Sequence, residues 1–529
     1  MTKIFHISFL FVLVSFLQSQ SYTSTSVQGA FGAVTIDGKI WNQIALRPII
    51  PFGKVTLALD IVFYIDQDGN IHDDEWDFSN GKNSKNSIID KIYYVRYGKK
   101  WEPFYFQIGA LENVTIGQGI LVNRYSNTIL YPQLRKVGME LKFKTYGLDF
   151  YAFTNDFKEN LGLAGFRVSK KLMNSINIGG SFVTDRNQYL GLRDRDDDGR
   201  PDLVDDFPND PGFWLDTDGD GLADGIPEEL DIDGDGVTDT LDSDVPGWNL
   251  DTSFVLDTEI IRKPEPLNVK EKERSIFAVS LDASKTILVE KNMNVTVYAQ
   301  YATLIGETID PITKASTTLG NGLIPLGLSV KLGPARFNFE YRMMPSGKFE
   351  FGYWDRSYEI ERATFSASNA SNASMMPGVK TGEIITKDSK LGKFGKQKGY
   401  FSTLSLDLGE LIGSSLSYQN LFGEQWSNYD NNFIKDRNQS FIASIGLKKP
   451  ISKITSARWY YQQRNVPNPF NFKYTESTIS GYRVGIKLGN GMILNYIFRQ
   501  SFRDIDGDGD VNGKEETINM TSIETSFSF

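Results

Sequence analysis

The chain has 529 residues, no cysteine, two histidines and a net charge of −10. Without cysteine there are no disulfides, thiolate metal sites, cysteine nucleophiles or lipidated N-terminal cysteine, and with His6 in an apolar leader the mature chain keeps one imidazole, His72. Hydrolysis through a His base or a His-rich metal centre is therefore not expected, no nucleophile motif accompanies His72, and the chain reads as a non-enzyme.

The acidity is local. Residues 194–244 hold 20 Asp and Glu against Arg195 and Arg200, a net of −18 that leaves the rest of the chain at +8. No basic helix or aromatic-basic platform is present, so no nucleic-acid partner is expected.

Residues 1–21 read as a signal peptide: Lys3 supplies the charge, 4–17 are mostly apolar, and Ser19-Gln20-Ser21 offers a small-x-small cleavage site. Beyond it no stretch reaches the 18 or so apolar residues of a membrane helix, so a membrane-embedded chain has to be a closed barrel. Residues 22–529 carry its signal. Val137, Met139, Leu141 and Phe143 alternate with Gly138, Glu140, Lys142 and Lys144, and the same period of two recurs at 55–65, 277–283, 293–301, 336–343, 441–447 and 482–488.

The connections alternate too. Short turns fall at 51–53, 146–147, 333–334, 409–410, 449–450 and 489–491; long segments fall at 67–87, 113–134, 185–274, 305–321, 346–397, 423–437, 465–475 and 504–516. Short turns on one side and long loops on the other are the asymmetry of outer-membrane barrels. A first strand near 27–36 rising from the periplasm puts every long segment outside and both termini in the periplasm. The predicted fold is all-β: a closed antiparallel transmembrane barrel of about 20 strands (16–20) with long external loops. Asp37-Gly38 is a tight hairpin turn where an external loop is expected, and 366–374 is a Ser/Ala/Asn tract within a long loop.

Several loops carry chemistry. Asp66, Asp68, Asn70, Asp73 and Glu75 form a loose acidic patch, read first as a solvated loop and second as an ion site. Residues 116–127 are too apolar for a solvated loop. They suit an inward constriction presenting Gln118, Asn123 and Arg124, or else an extra strand or packed rim.

Residues 190–248 form an acidic insertion. Asp194, Asp196, Asp198, Gly199, Asp202 and Asp205 take positions 1, 3, 5, 6, 9 and 12 of a calcium loop, where odd-spaced carboxylates converge on one ion and Gly allows the sharp turn. Asp216, Asp218, Asp220, Gly221 and Asp224 repeat the pattern, with Pro227 at position 12 and Glu228 as the nearest substitute. A third copy is Asp231, Asp233, Asp235, Gly236, Asp239 and Asp242. These copies resemble thrombospondin type 3 repeats, and the resemblance implies that Ca2+ organises a segment with little hydrophobic core. In the last external loop, 504–516, the residues Asp504, Asp506, Asp508, Gly509, Asp510, Asn512 and Glu515 resemble a single EF-hand or dockerin loop, with Glu515 as the bidentate ligand.

The parity opposite to the apolar face lines the interior: Lys142, Lys144, Arg336, Arg342, Arg483, Lys487 and Arg499 against Asp60, Glu140, Asp149, Asp282, Glu340, Asp407 and Glu524. Seven against seven predicts weak ion selectivity. The chain ends on an alternating strand, 517–529, closing at Phe529. That ending resembles the final strand of Gram-negative outer-membrane barrels, whose terminal Phe is read by the β-barrel insertion machinery. Together the patterns predict a porin-like channel for small polar solutes in the outer membrane of a Gram-negative-type bacterium, embedded in its lipid, with calcium-ordered external loops. The alternative is a surface adhesion or scaffold barrel holding an extracellular ligand (a glycan, a protein or lipopolysaccharide) through the calcium module.

Overall fold

The computed structural model describes residues 26–36, 39–72, 76–132, 134–172, 175–241, 261–367, 382–489, 491–503, 511 and 516–528. The signal-peptide segment 1–21, Asp37-Gly38, Asp73, Glu75, most of the 366–374 tract, Asp242, the ligands Asp504, Asp506, Asp508, Asp510, Asn512 and Glu515, and Phe529 lie outside them.

Among the described residues 21 strand segments form one sheet, and Val55–Leu59 and Ile61–Ile65 are two halves of a single crossing on either side of Asp60, giving 20 crossings. Each pairs antiparallel with its neighbours. The sheet closes where Ser26–Ile36 meets Thr517–Ser528, in register from Gln28↔Ser528 to Val34↔Ser522. Closure removes both sheet edges, leaving no unpaired ladder for aggregation.

Strand Ile276–Val289 shows why these residues make a barrel. Phe277, Val279 and Leu281 point outward and stay exposed, while Ala278, Ser280 and Asp282 point inward and are buried. Phe166, Phe182, Leu326, Leu404, Leu416 and Ile445 continue the outward belt on other strands. An apolar belt around a closed barrel is the surface that lipid covers.

One end of the barrel carries the strand termini and short turns such as 146–147, 333–334 and 409–411; the other carries the long connections 66–91, 110–137, 186–275, 306–320, 345–393 and 467–478. The predicted parity of long and short connections holds. Two details differ. Residues 423–437 form no long loop, because strands Ile412–Ser427 and Asn432–Leu447 run on to a turn at 428–431, held by the ladder down to Ser427↔Asn432 and by Trp426 edge-on to Phe433 at 5.5 Å. A further connection, 155–162, sits at the long-loop end between Leu148–Thr154 and Leu163–Leu172.

Candidate functional site

A barrel of this size has a bore wider than side chains can fill. Here two loops fill part of it. Ile116, Ile120, Leu121, Val122 and Tyr125 of 110–137 pack with Phe349, Phe351, Tyr353, Trp354 and Tyr358 of 345–393 into one core with Ala278, Ala302 and Ile324 of the wall. The loops join each other: Val122–Asn123 pairs parallel with Trp354–Asp355, and Trp354 N–H donates to Leu121 C=O at 3.0 Å. Burying each large apolar side chain is worth about 1.5–3 kcal/mol, set against the entropy of ordering the loops. The wall accepts them because its inward positions near the loop end are small or apolar, Gly165, Ala278, Ala302 and Gly322 among them. The 116–127 segment therefore turns inward, and Gln118, Asn123 and Arg124 all line the remaining space.

That space comprises two chambers that share Glu112. One, of ≈ 510 Å³, is lined by Arg124, Arg356, Arg458 and Tyr460 on one side and by Thr403, Ser405, Ser417, Gln419 and Ser440 on another. The second, of ≈ 480 Å³, is lined by Arg47, Asp60, Tyr131, Arg135, Arg483, Arg499 and Glu524.

The balanced charge count does not describe this lumen. All seven acidic positions are neutralised: Asp60 by Arg47 and Arg135 (2.8 and 2.6 Å), Glu524 by Arg47 (2.7 Å), Glu140 by Lys100 (2.8 Å), Asp149 by Lys144 (2.8 Å), Asp282 by Arg167 (2.8 Å), Glu340 by Arg342 (2.6 Å) and Asp407 by Lys448 (2.5 Å). Among the described residues, Arg124, Arg356, Arg458, Arg483 and Arg499 have no carboxylate within ion-pair distance. Arg458 and Arg483 stand directly opposite each other on adjacent strands, where like charges repel. Arg356 lies over Tyr460 at 5.2 Å. Burial, then the charges of Arg356 and Arg458, hold the Arg124 guanidinium below its ordinary value. Glu112, which lines both chambers, is the one lining carboxylate among the described residues without an ion pair, and against five such guanidinium groups it leaves the free charge of the lumen net cationic. Arg124 and Arg356 reach it from loops, and Arg458 from a strand whose alternation was not read from the sequence.

The loops are anchored behind the lumen by paired charges. Buried Arg362 donates to Asp185 (2.6 and 2.8 Å) and Glu159 (2.8 Å), Lys136 donates to Glu359 (2.8 Å) and pairs with Glu159, and Arg464 bridges Glu350 (2.7 Å) and Asp355 (2.5 Å). Burial pushes the Glu159 carboxyl up, and Arg362 and Lys136 more than reverse this, holding it at about 2.

In the acidic segment the carboxylates of Asp194, Asp196 and Asp198, of Asp216, Asp218 and Asp220, and of Asp231, Asp233 and Asp235 gather in three groups, each with oxygens within 4.8 Å of one another. The three loops fold alike. The first carboxylate accepts from the Gly amide at position 6 (Gly199, Gly221 and Gly236, each 2.9 Å), where φ values of 104°, 96° and 91° favour Gly. Asp202, Asp224 and Asp239, at position 9, turn back to accept from the amides of Arg195, Thr217 and Ile232 (2.9, 2.8 and 3.1 Å). Asp205 is buried near Asp196 and Asp198; burial and those charges push its carboxyl up to about 7, and Asp194 is pushed up to about 6. Buried Asp194 Oδ1, Asp205 Oδ2 and Asp231 Oδ1 accept no hydrogen bond. Oxygens of this kind fit a hard cation. At the second loop Glu229 lies near Asp218, Asp220 and Asp224, whose charges raise it after burial has done so.

No protein-family model matches the chain, and no curated protein matches it. Among solved structures the chain is similar to Pseudomonas aeruginosa OccK10 (OpdN), at 7% identity and a TM-score of 0.35 over 96% of this chain and 98% of that one. It is also similar to P. aeruginosa OccK5 (OpdH), at 8%, 0.35, 96% and 97%, and to Acinetobacter baumannii OccAB2, at 8%, 0.34, 96% and 97%.

Proposed function

We propose that the protein is a porin-like channel of a bacterial outer membrane that passes small polar solutes and favours anions. The single observation carrying this reading is the lumen lined by Arg124, Arg356, Arg458, Arg483 and Arg499 without carboxylate partners, next to a wall of hydroxyl and amide side chains. Unpaired guanidinium groups in a confined, partly desolvated passage raise the local concentration of anions, and a planar fork suits carboxylate or phosphate oxygens. The lipid-facing belt supports membrane embedding. With the short turns and strand termini periplasmic, the acidic segment is external, and the closing strand with Phe529 is what the insertion machinery reads.

The same proposal includes Ca2+ in the external loops. Asp194, Asp196, Asp198 and Asp205 would hold one ion, Asp216, Asp218 and Asp220 with Glu229 a second, Asp231, Asp233 and Asp235 a third, and the 504–516 loop a fourth; the ion would neutralise carboxylates that otherwise repel. The alternative, a non-conducting barrel that displays this module to an extracellular ligand, draws support from the two loops packed in the lumen.

Planar-bilayer recordings of the purified full-length protein separate the two. Stable single-channel steps that succinate partly blocks are the expected result. Folded protein that never conducts leaves the display reading.

A further inference from the structure

The first acidic loop touches the apparatus that narrows the lumen. Leu203 and Val204, together with Leu192 and Leu267, pack on Ala363, Phe365 and Ile384 of the hairpin Ala363–Ala367/Gly382–Thr386. That hairpin continues the chain directly from Arg362, which is fully buried against Asp185, Glu159 and the carbonyl of Asn187. Arg362 in turn follows the helix Tyr358–Glu361 and the lumen-lining Asp355 and Arg356. A buried path therefore runs from the acidic loop to the cationic constriction.

At the loop end of this path Asp205 is 7% exposed, its Oδ2 accepts no hydrogen bond, and it lies beside Asp196 and Asp198. Asp194, Asp196 and Asp198 gather there with Asp205 beside them, and Arg200, 3.8 Å from Asp198, is too little positive charge to balance all four. Without an added ion they repel, and the residues they order include the two that seat the hairpin.

We infer that a calcium ion held by Asp194, Asp196, Asp198 and Asp205 fixes the position of Arg356 and its partner Arg124, through Leu203 and Val204 on the 363–386 hairpin, so that external calcium sets the current through the channel. This rests on the calcium and channel readings above.

Full-length protein in planar bilayers, with millimolar calcium and then with chelator, tests it alongside calorimetry on the same preparation. Chelation is expected to raise the open-channel noise and lower anion preference at least about twofold, with magnesium unable to restore either. The double variant Leu203→Ser/Val204→Ser should keep its calcium heat and lose the response, its barrel checked by far-ultraviolet circular dichroism. Calcium heat with currents identical in calcium and chelator would overturn the coupling and leave calcium binding intact. No calcium heat would overturn the coupling together with the calcium reading.

Discussion

Two walls of one barrel treat the lumen in opposite ways. On strands 163–172, 276–289, 293–305 and 321–332 the inward positions near the loop end are Leu163, Gly165, Ala278, Ala302 and Ile324, and loops dock on them; on strands 394–408, 412–427 and 432–447 the inward positions at mid-height and towards the short turns are Thr403, Ser417, Gln419 and Ser440, and space stays open. The difference teaches how a wide barrel comes to have a narrowed interior. An apolar wall recruits a packed insert, and a polar wall leaves space that water can fill. Charge follows the same division, with counter-ions built in behind the insert and Arg side chains left without carboxylates in front of it.

The largest effect should come from reversing that free charge. Replacing Arg124, Arg356 and Arg458 together with Glu should turn anion preference into cation preference, a change of roughly tenfold or more in the permeability ratio read from reversal potentials. An unchanged ratio would mean that the solute path avoids the cationic face.

Breaking the built-in pairing is next. Arg362→Met leaves Asp185 with an uncompensated buried charge and Glu159 with Lys136 alone, and should cost about 3–5 kcal/mol in the stability of the insert. Limited proteolysis should then cleave within 345–393 while the barrel remains intact. Equal protease resistance in variant and wild type would contradict the anchoring role.

Acid attacks the same network. Glu159 is held at about 2, below its ordinary value of 4.5, so its stabilisation is complete above about pH 4.5 and is lost as pH falls towards 2. Amide protection factors in 345–363, which remove the intrinsic pH dependence of exchange, should fall across that window. Protection factors unchanged between pH 4.5 and 2 would contradict this role for Glu159.

A smaller, local effect belongs to the acidic insertion. Asp231→Asn/Asp233→Asn/Asp235→Asn should remove one calcium event from the calorimetry of the full-length protein, whose sites are expected at about 10⁻⁴ to 10⁻³ M, and leave the others.

The period-two alternation and the spacing of short and long connections made the barrel legible, because side-chain parity and loop asymmetry are local in sequence. Residues 423–437 misled because a strand that runs on beyond the apolar belt keeps its ladder while becoming polar, as Glu424 and Lys435 do. The apolar run at Ile120–Val122 announced a buried loop, and Gln118, Asn123 and Arg124 do line the space. What could not be counted was the net lumen charge. Asp60 finds Arg135 across 75 positions, Asp282 finds Arg167 across 115, and Arg356 arrives from a loop, so pairing depends on contacts that alternation does not encode. The acidic clusters at 194–198, 216–220 and 231–235 were visible because all their carboxylates come from one short stretch.

The most direct measurement is the reversal potential of the wild-type protein in a planar bilayer under a potassium chloride gradient at neutral pH. A sign that reports chloride moving in preference to potassium is the predicted result. A potential at zero, or one that favours potassium, would contradict an unpaired cationic lumen as the basis of function.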